Sequence, residues 1–355
     1  MLPAEDEQPL IDNNPMLQSY YHSLESRIGY RIILGGTRHF GYYEHDTWWP
    51  FPLSRALRTM EDKLAASLEL ERGAYVLDAG CGVSHVAIHL AAKHGLKVQG
   101  IDIVDHHIVK ARRNIARSGL SGEQVSVRKM DYHHLDSFEN GTFDGVYTME
   151  TFVHATHPQN VLRNFFRVLR PGGRLALFEY DHDSIENADE ASALSMKKIN
   201  EVAAMPTNTL SQPGVFQQML EDAGFTDVVV RDYSPHIKPM TRFFYLLAYI
   251  PLLVVSFFGL ESFFINTVAG VESYRGRQHW RYVAISASKP RCNDETKKVL
   301  KKCRSRYALT TLKDANLQHI GSAGVSDLVR SKTITRMTRW KIRCRHHKFR
   351  YSNVT

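Results

Sequence analysis

Cysteine is scarce, with four residues in 355. That excludes a disulfide-held scaffold and fits a reducing compartment. Metal-site spacing is missing too: among eighteen histidines no H-E-x-x-H occurs, and no C-x-x-C. The pairs His106-His107 and His133-His134 are adjacent, so both rings of a pair cannot readily face one ion from a regular element, and no metal is expected. The opening MLPAEDEQPLIDNNP lacks the basic and apolar regions of a secretory signal. The chain has no internal repeat. Its net charge of +8 is unevenly spread, because residues 291–355 hold 17 Lys/Arg against 4 Asp/Glu while the rest is mildly acidic. Neither a nucleic-acid module nor aromatic interleaving accompanies that basic stretch, so nucleic acid is not an expected partner.

With 43% apolar and 23% charged residues, a sizeable core is attainable. Residues 1–15 read as a disordered leader and 16–70 as an aromatic and helical cap. Residues 71–290 read as one large domain, and 291–355 as a basic, disordered tail. Within the cap, Leu53, Ala56, Leu57, Met60 and Leu64 recur at helical spacing. Strand-like and helix-like runs then alternate. AYVLDAG, LKVQGIDI, QVSVRKMD, FDGVYTME, RLALFEY, TDVVVRDYS and HWRYVAISASKP read as strands, with PGG as a turn before RLALFEY. This order predicts an α/β fold, a doubly wound and mostly parallel seven-stranded sheet with helices on both faces.

Three successive strands end in aspartate: Asp78, Asp102 and Asp131. After Asp78 comes Gly80-Cys81-Gly82, a turn that lets a ligand approach main-chain N–H groups at the start of a helix. Asp102 is placed to take two ribose hydroxyls and Asp131 to accept from an adenine amino group. One such residue is as well a turn former; three on one sheet edge describe a nucleoside pocket.

The series LDAGCGVSH, GIDIVDHHIVKAR, MDYHHL, FDGVYTMETFVHA, VLRPGG and LALFEY resembles the class I S-adenosylmethionine-dependent methyltransferases, most of all the sterol C24-methyltransferase group and related small-molecule enzymes. METFVHA is similar to that group's E-A-x-x-H-A segment, whereas Ser84 stands where a third glycine is usual and Trp48-Trp49 replaces a Gly-Trp-Gly arrangement. The resemblance implies S-adenosyl-L-methionine as cofactor. Asp78, Gly80 and Gly82 would hold its methionine part, with Cys81 a packing residue. Asp102 and Ile103 would hold the ribose, and Met130, Asp131 and Tyr132 the adenine.

Glu150 and His154, four apart after the fourth strand, are the candidate acid/base pair; the alternative is a helix cap beside a structural histidine. Tyr43, within the cluster Tyr42 to Trp49, is the third candidate catalytic residue, on a wall that could equally be cap packing. Residues 243–260, FFYLLAYIPLLVVSFFGL, carry no charge. An insertion over 243–271 could be a lid on the substrate crevice, buried core or a membrane span; each favours a greasy substrate.

The expected function is methyl transfer to a hydrophobic small molecule, a sterol or isoprenoid or a lipophilic secondary metabolite. The alternative is a non-catalytic, membrane-associated binding protein on a decayed methyltransferase fold. The expected location is cytoplasmic, with peripheral contact to an intracellular membrane left open.

Overall fold

A computed structural model of the chain describes residues 14–183 and 190–291. The leader up to residue 13 and the tail beyond Arg291 lie outside the described residues. Helices α1 (Pro15–His22), α2 (Leu24–Leu34) and α3 (Leu53–Leu68) form the cap. The alternating body follows: β1 (Tyr75–Ala79), α4 (His85–His94), β2 (Lys97–Asp102), α5 (Asp105–Ser118), β3 (Val125–Lys129), β4 (Phe143–Met149), α6 (Pro158–Val168) and β5 (Leu169–His182). Then come α7 (Glu190–Val202), α8 (Val215–Asp222), β6 (Thr226–Asp232), α9 (Ser234–Phe257), α10 (Ile265–Arg275) and β7 (Trp280–Ser288).

The sheet has seven strands in the order β3-β2-β1-β4-β5-β7-β6. Pairings are parallel except those of β7, which is antiparallel to both β5 and β6. Alternate residues of a strand face opposite sides, and β1 shows it: Leu77 packs with Ile101, Val146 and Phe165 on one face, Val76 with Leu64, Leu90 and Phe178 on the other. Helices α4 and α5 each end on a left-handed glycine, Gly95 and Gly119, where the missing Cβ removes the steric penalty.

Two expectations at element boundaries change. The Pro171-Gly172-Gly173 run lies inside β5, which begins at Leu169, and not before it. It still bulges out of the ladder: β4 advances from Phe143 to Gly145 while the partners on β5 jump from Leu169 to Arg174, and Gly172 is left-handed at φ +83. Proline suits that spot because it needs no donor partner. The apolar insertion is also longer than 243–271. Helix α9 has 24 residues, long and apolar enough to cross a membrane by length and composition. Its first half is locked into the protein, however. Met240, Thr241 and Arg242 are buried, and Arg242 makes two bonds, of 2.9 and 3.0 Å, to Asp46. The chain then returns as β7 between β5 and β6, a place a bilayer-spanning α9 would deny it.

Candidate active site

The carboxyl ends of β1, β2 and β3 meet at a small cavity of about 50 Å³. Gly80, Asp102, Ile103, Met130, Asp131 and Tyr132 line it, so six of the eight expected cofactor residues converge there. Asp78 and Gly82 are not on its wall but brace it. The Gly82 N–H donates to Asp102 Oδ2 at 2.9 Å. Asp102 Oδ1 accepts from the Val104 N–H at 2.8 Å and from His107 Nδ1 at 3.2 Å. Burial works against the Asp102 charge, but His107 and the two N–H groups outweigh it and hold the carboxyl below its ordinary value.

Asp78 is buried the other way. Burial, with the Asp102 charge adding to it and the Tyr147 hydroxyl opposing, pushes its carboxyl up to about 7. Its Oδ2 is buried without a hydrogen-bond partner. A buried oxygen left unmatched beside a glycine turn suits a cationic ligand group, and the methionine ammonium of S-adenosylmethionine is one. Gly80 is required by the protein itself: at φ +95, any Cβ would lie 2.6 Å from the Thr151 hydroxyl. That hydroxyl donates to the Ala79 carbonyl at 2.8 Å. Tyr132 donates to the Thr151 carbonyl at 3.0 Å, which places its ring rather than its hydroxyl at the disposal of an adenine. Asp131 Oδ1 holds both the N–H and the ring of His133. Leu17 and Tyr21 of α1 close the outer wall.

A second cavity, of about 640 Å³, opens beyond it. Glu150 and His154 both reach it, together with His39, Phe40, Tyr180 and apolar residues of α9 including Phe244, Ala248 and Pro251. Glu150 adopts a left-handed backbone, φ +57, which is uncommon for a residue with a Cβ and marks strain. Its Oε1 accepts the Phe40 N–H at 2.7 Å and its Oε2 the Tyr180 hydroxyl in a short bond. Burial raises the Glu150 carboxyl above its ordinary value, against the opposing pull of His39 and these two donors.

His154 stands on the wall shared by both cavities, as does Tyr21. Its Nδ1 donates to the Ala204 carbonyl at 2.8 Å, so Nε2 accepts the Tyr21 hydroxyl at 3.0 Å. Burial lowers its pKa to about 4, which leaves the ring neutral near pH 7.

Tyr43 is elsewhere. It lines neither cavity; it packs with Leu34, Leu53 and Met240, and its hydroxyl donates to the Pro50 carbonyl at 2.9 Å. The expected wall of residues 42–49 fails with it: Tyr42 stacks on His236, while Trp48 and Trp49 point outward, 78% and 73% exposed. The wall comes from Tyr20, Tyr21, His39 and Phe40 instead. Sequence reasoning also missed Glu179. Its Oε1 accepts the N–H groups of Thr151 (3.2 Å) and Phe152 (2.8 Å) and the Thr148 hydroxyl, fixing the turn that carries Glu150. A charged residue in the middle of the apolar run LALFEY was the signal.

A doubly wound sheet with three aspartates on the carboxyl edge of its first strands defines a nucleoside-cofactor enzyme fold. Residues 70–224 match a methyltransferase-domain family model. The chain is 42% identical to the S-adenosyl-L-methionine-dependent Diels-Alderase iccD of Talaromyces variabilis over 77% of this chain and 94% of that protein. It is 35% identical to a sterol 24-C-methyltransferase of Eremothecium gossypii over 53% of this chain and 48% of that protein. By structure it is similar to the cyclopropane synthase MmaA2 of Mycobacterium tuberculosis, with a TM-score of 0.64 at 16% identity over 79% of this chain and 99% of that one, a likeness of fold. The chain belongs to the S-adenosylmethionine-dependent methyltransferase family. S-adenosyl-L-methionine is its cofactor, and the aspartates described above fit it.

Proposed function

We propose that this enzyme holds S-adenosylmethionine as a resident cofactor and catalyses an intramolecular [4+2] cycloaddition of a hydrophobic polyene, a lipophilic secondary metabolite, in the larger cavity. The observation that carries this reading is the Tyr21–His154 pair. It stands between the two cavities with the His154 nitrogen already accepting a hydrogen bond. Methyl transfer needs the sulfonium and the acceptor in line and, for an oxygen or nitrogen acceptor, an available base. A cycloaddition needs neither. Three π bonds become two σ bonds and one new π bond, and no proton or group departs.

When bound, the cofactor supplies a fixed positive charge, and the rest falls to the chain. The apolar walls fold the polyene so that diene and alkene meet, which converts a large entropic cost into binding. Tyr180 stands on that wall with its hydroxyl held by Glu150; turned from Glu150 to the substrate, that hydroxyl would polarise a carbonyl conjugated to the reacting alkene. The Diels-Alderase name of a relative 42% identical supports the same reaction type.

The test is mass spectrometry on metabolite extract from cells lacking the gene, incubated with the purified enzyme and S-adenosylmethionine. Cycloaddition gives a product isomeric with its substrate and leaves the cofactor unconsumed. A product about 14 Da heavier, with stoichiometric S-adenosylhomocysteine, would establish methyl transfer and overturn the reading.

A further inference from the structure

Helix α9 has two apolar faces. One lines the substrate cavity through Phe244, Ala248 and Pro251. The other leaves Leu246, Ile250, Leu253 and Phe257 exposed by 61%, 64%, 53% and 83%. These four lie at i, i+4, i+7 and i+11, one stripe along the helix. The connection to α10 extends the stripe with Phe258 and Phe263, 65% and 73% exposed. Between residues 243 and 264 the sole charged side chain is Glu261, and Lys198 lies 4.0 Å from it. A contiguous apolar surface of this kind on a protein in water marks a docking face.

We propose that this face docks the protein onto an anionic lipid bilayer, with the α9–α10 tip inserted among the headgroups and acyl chains. Three observations favour lipid over a protein partner. Between residues 243 and 264 the face offers one charged side chain, Glu261, with which a protein interface could fix its register. The same chain carries 17 Lys/Arg against 4 Asp/Glu in residues 291–355, an excess complementary to anionic headgroups and without a counterpart on the uncharged face. A cluster of phenylalanines plus a polybasic segment is the two-signal combination that stable peripheral binding requires. The helix that would rest in lipid is also a wall of the hydrophobic cavity, so a greasy substrate would have a short route from bilayer to site. The docking itself does not depend on which reaction the cavity hosts.

The test is flotation of the full chain with vesicles of phosphatidylcholine alone and of phosphatidylcholine with about one third phosphatidylserine. Analytical ultracentrifugation without vesicles runs alongside. Wild type should float with the mixed vesicles and bind the neutral ones more weakly. The triple variant Phe257→Ser/Phe258→Ser/Phe263→Ser should bind the mixed vesicles about tenfold more weakly or worse, with unchanged thermal midpoint and cofactor affinity because those rings are exposed. Absence of wild-type flotation, or flotation equal in the variant, overturns the proposal. So does a wild-type dimer that the triple variant converts to monomer without any vesicle binding, which would make the face a self-association surface.

Discussion

The cofactor end and the substrate end of this molecule are built by opposite strategies. At the cofactor end the residues that matter follow directly on three adjacent strands, so Asp78, Asp102 and Asp131 reach one edge because the sheet is parallel. At the substrate end the cavity draws on α1 and the segment 38–40, the turn after β4, the end of β5, α7, α9 and α10. Backbone geometry places the first set, and packing between distant segments places the second. A substitution at the cofactor end should therefore act on a rigid local frame, while one at the substrate end should act on chemistry with little effect on cofactor affinity.

The largest expected effect is at Asp102. Its carboxylate satisfies the Gly82 and Val104 N–H groups and His107, so Asp102→Ala removes the proposed ligand for the ribose and unties the glycine turn together. Losing a charged acceptor of several bonds costs about 3 kcal/mol or more, or on the order of 100-fold in affinity. Calorimetric titration with S-adenosylhomocysteine measures it; an affinity within a few-fold of wild type would refute the assignment of this pocket.

Next is Glu150→Gln, which breaks the comparison if it alters cofactor affinity. If Glu150 were a general base, turnover would fall by roughly 10²–10⁴. As the acceptor that holds the Phe40 N–H and the Tyr180 hydroxyl, it is replaced by an amide that keeps one acceptor oxygen, and turnover should fall by no more than about tenfold. Glu150→Ala, which keeps no acceptor for the Tyr180 hydroxyl, should be worse than Glu150→Gln. Turnover measured for both variants separates base from positioning acceptor.

Much of this contrast was legible in the sequence. The succession of strands along the chain, the three aspartates and the Gly80/Gly82 turn all follow from short-range pattern, because period and punctuation are local properties. Tyr43 was misplaced for the opposite reason. An aromatic cluster next to a cap helix gives no sign of which ring turns inward, and here Phe40 and Tyr21 do so while Trp48 and Trp49 stay in water. The aim of Tyr21 depends on its contacts with His107 and His154, 86 and 133 residues away in the chain, which no local pattern encodes.

Glu179 sharpens the comparison through pH. Burial raises its carboxyl to about 8, partly opposed by the Phe152 N–H and the Thr148 hydroxyl. A group raised on folding keeps its proton in the folded state between its ordinary value of 4.5 and about 8, after the unfolded chain has lost it. Stability from this group is therefore full at low pH and falls as pH climbs through that window, by up to about 1.4 kcal/mol per unit. Glu179→Gln cannot ionise and keeps an acceptor for the turn N–H groups. Urea unfolding should show the variant gaining on wild type by a couple of kcal/mol between pH 6 and 8; parallel pH profiles for the two proteins would mean Glu179 is charged in the folded state.

The smallest expected effect tests the one departure at the cofactor end. Ser84 takes the third place of the glycine motif with φ +64 and ψ 25, a left-handed backbone, and caps the start of α4 without a side-chain bond. Its hydroxyl oxygen is buried and unpartnered. A side chain in this conformation costs about 1–2 kcal/mol, and an unmatched buried hydroxyl about 1–3 kcal/mol. Ser84→Gly removes both penalties but gives the unfolded chain more freedom, worth roughly 0.5–1 kcal/mol in the other direction. The balance favours the glycine variant by at least about 1 kcal/mol, a rise of roughly 2 °C or more in the melting midpoint of a domain this large. Ser84 does not line the nucleoside cavity, so S-adenosylhomocysteine affinity should stay at the wild-type value. A variant that is more stable but binds the cofactor several-fold more weakly would show that the serine is kept for the ligand, and that at this position the cofactor end, too, trades stability for function.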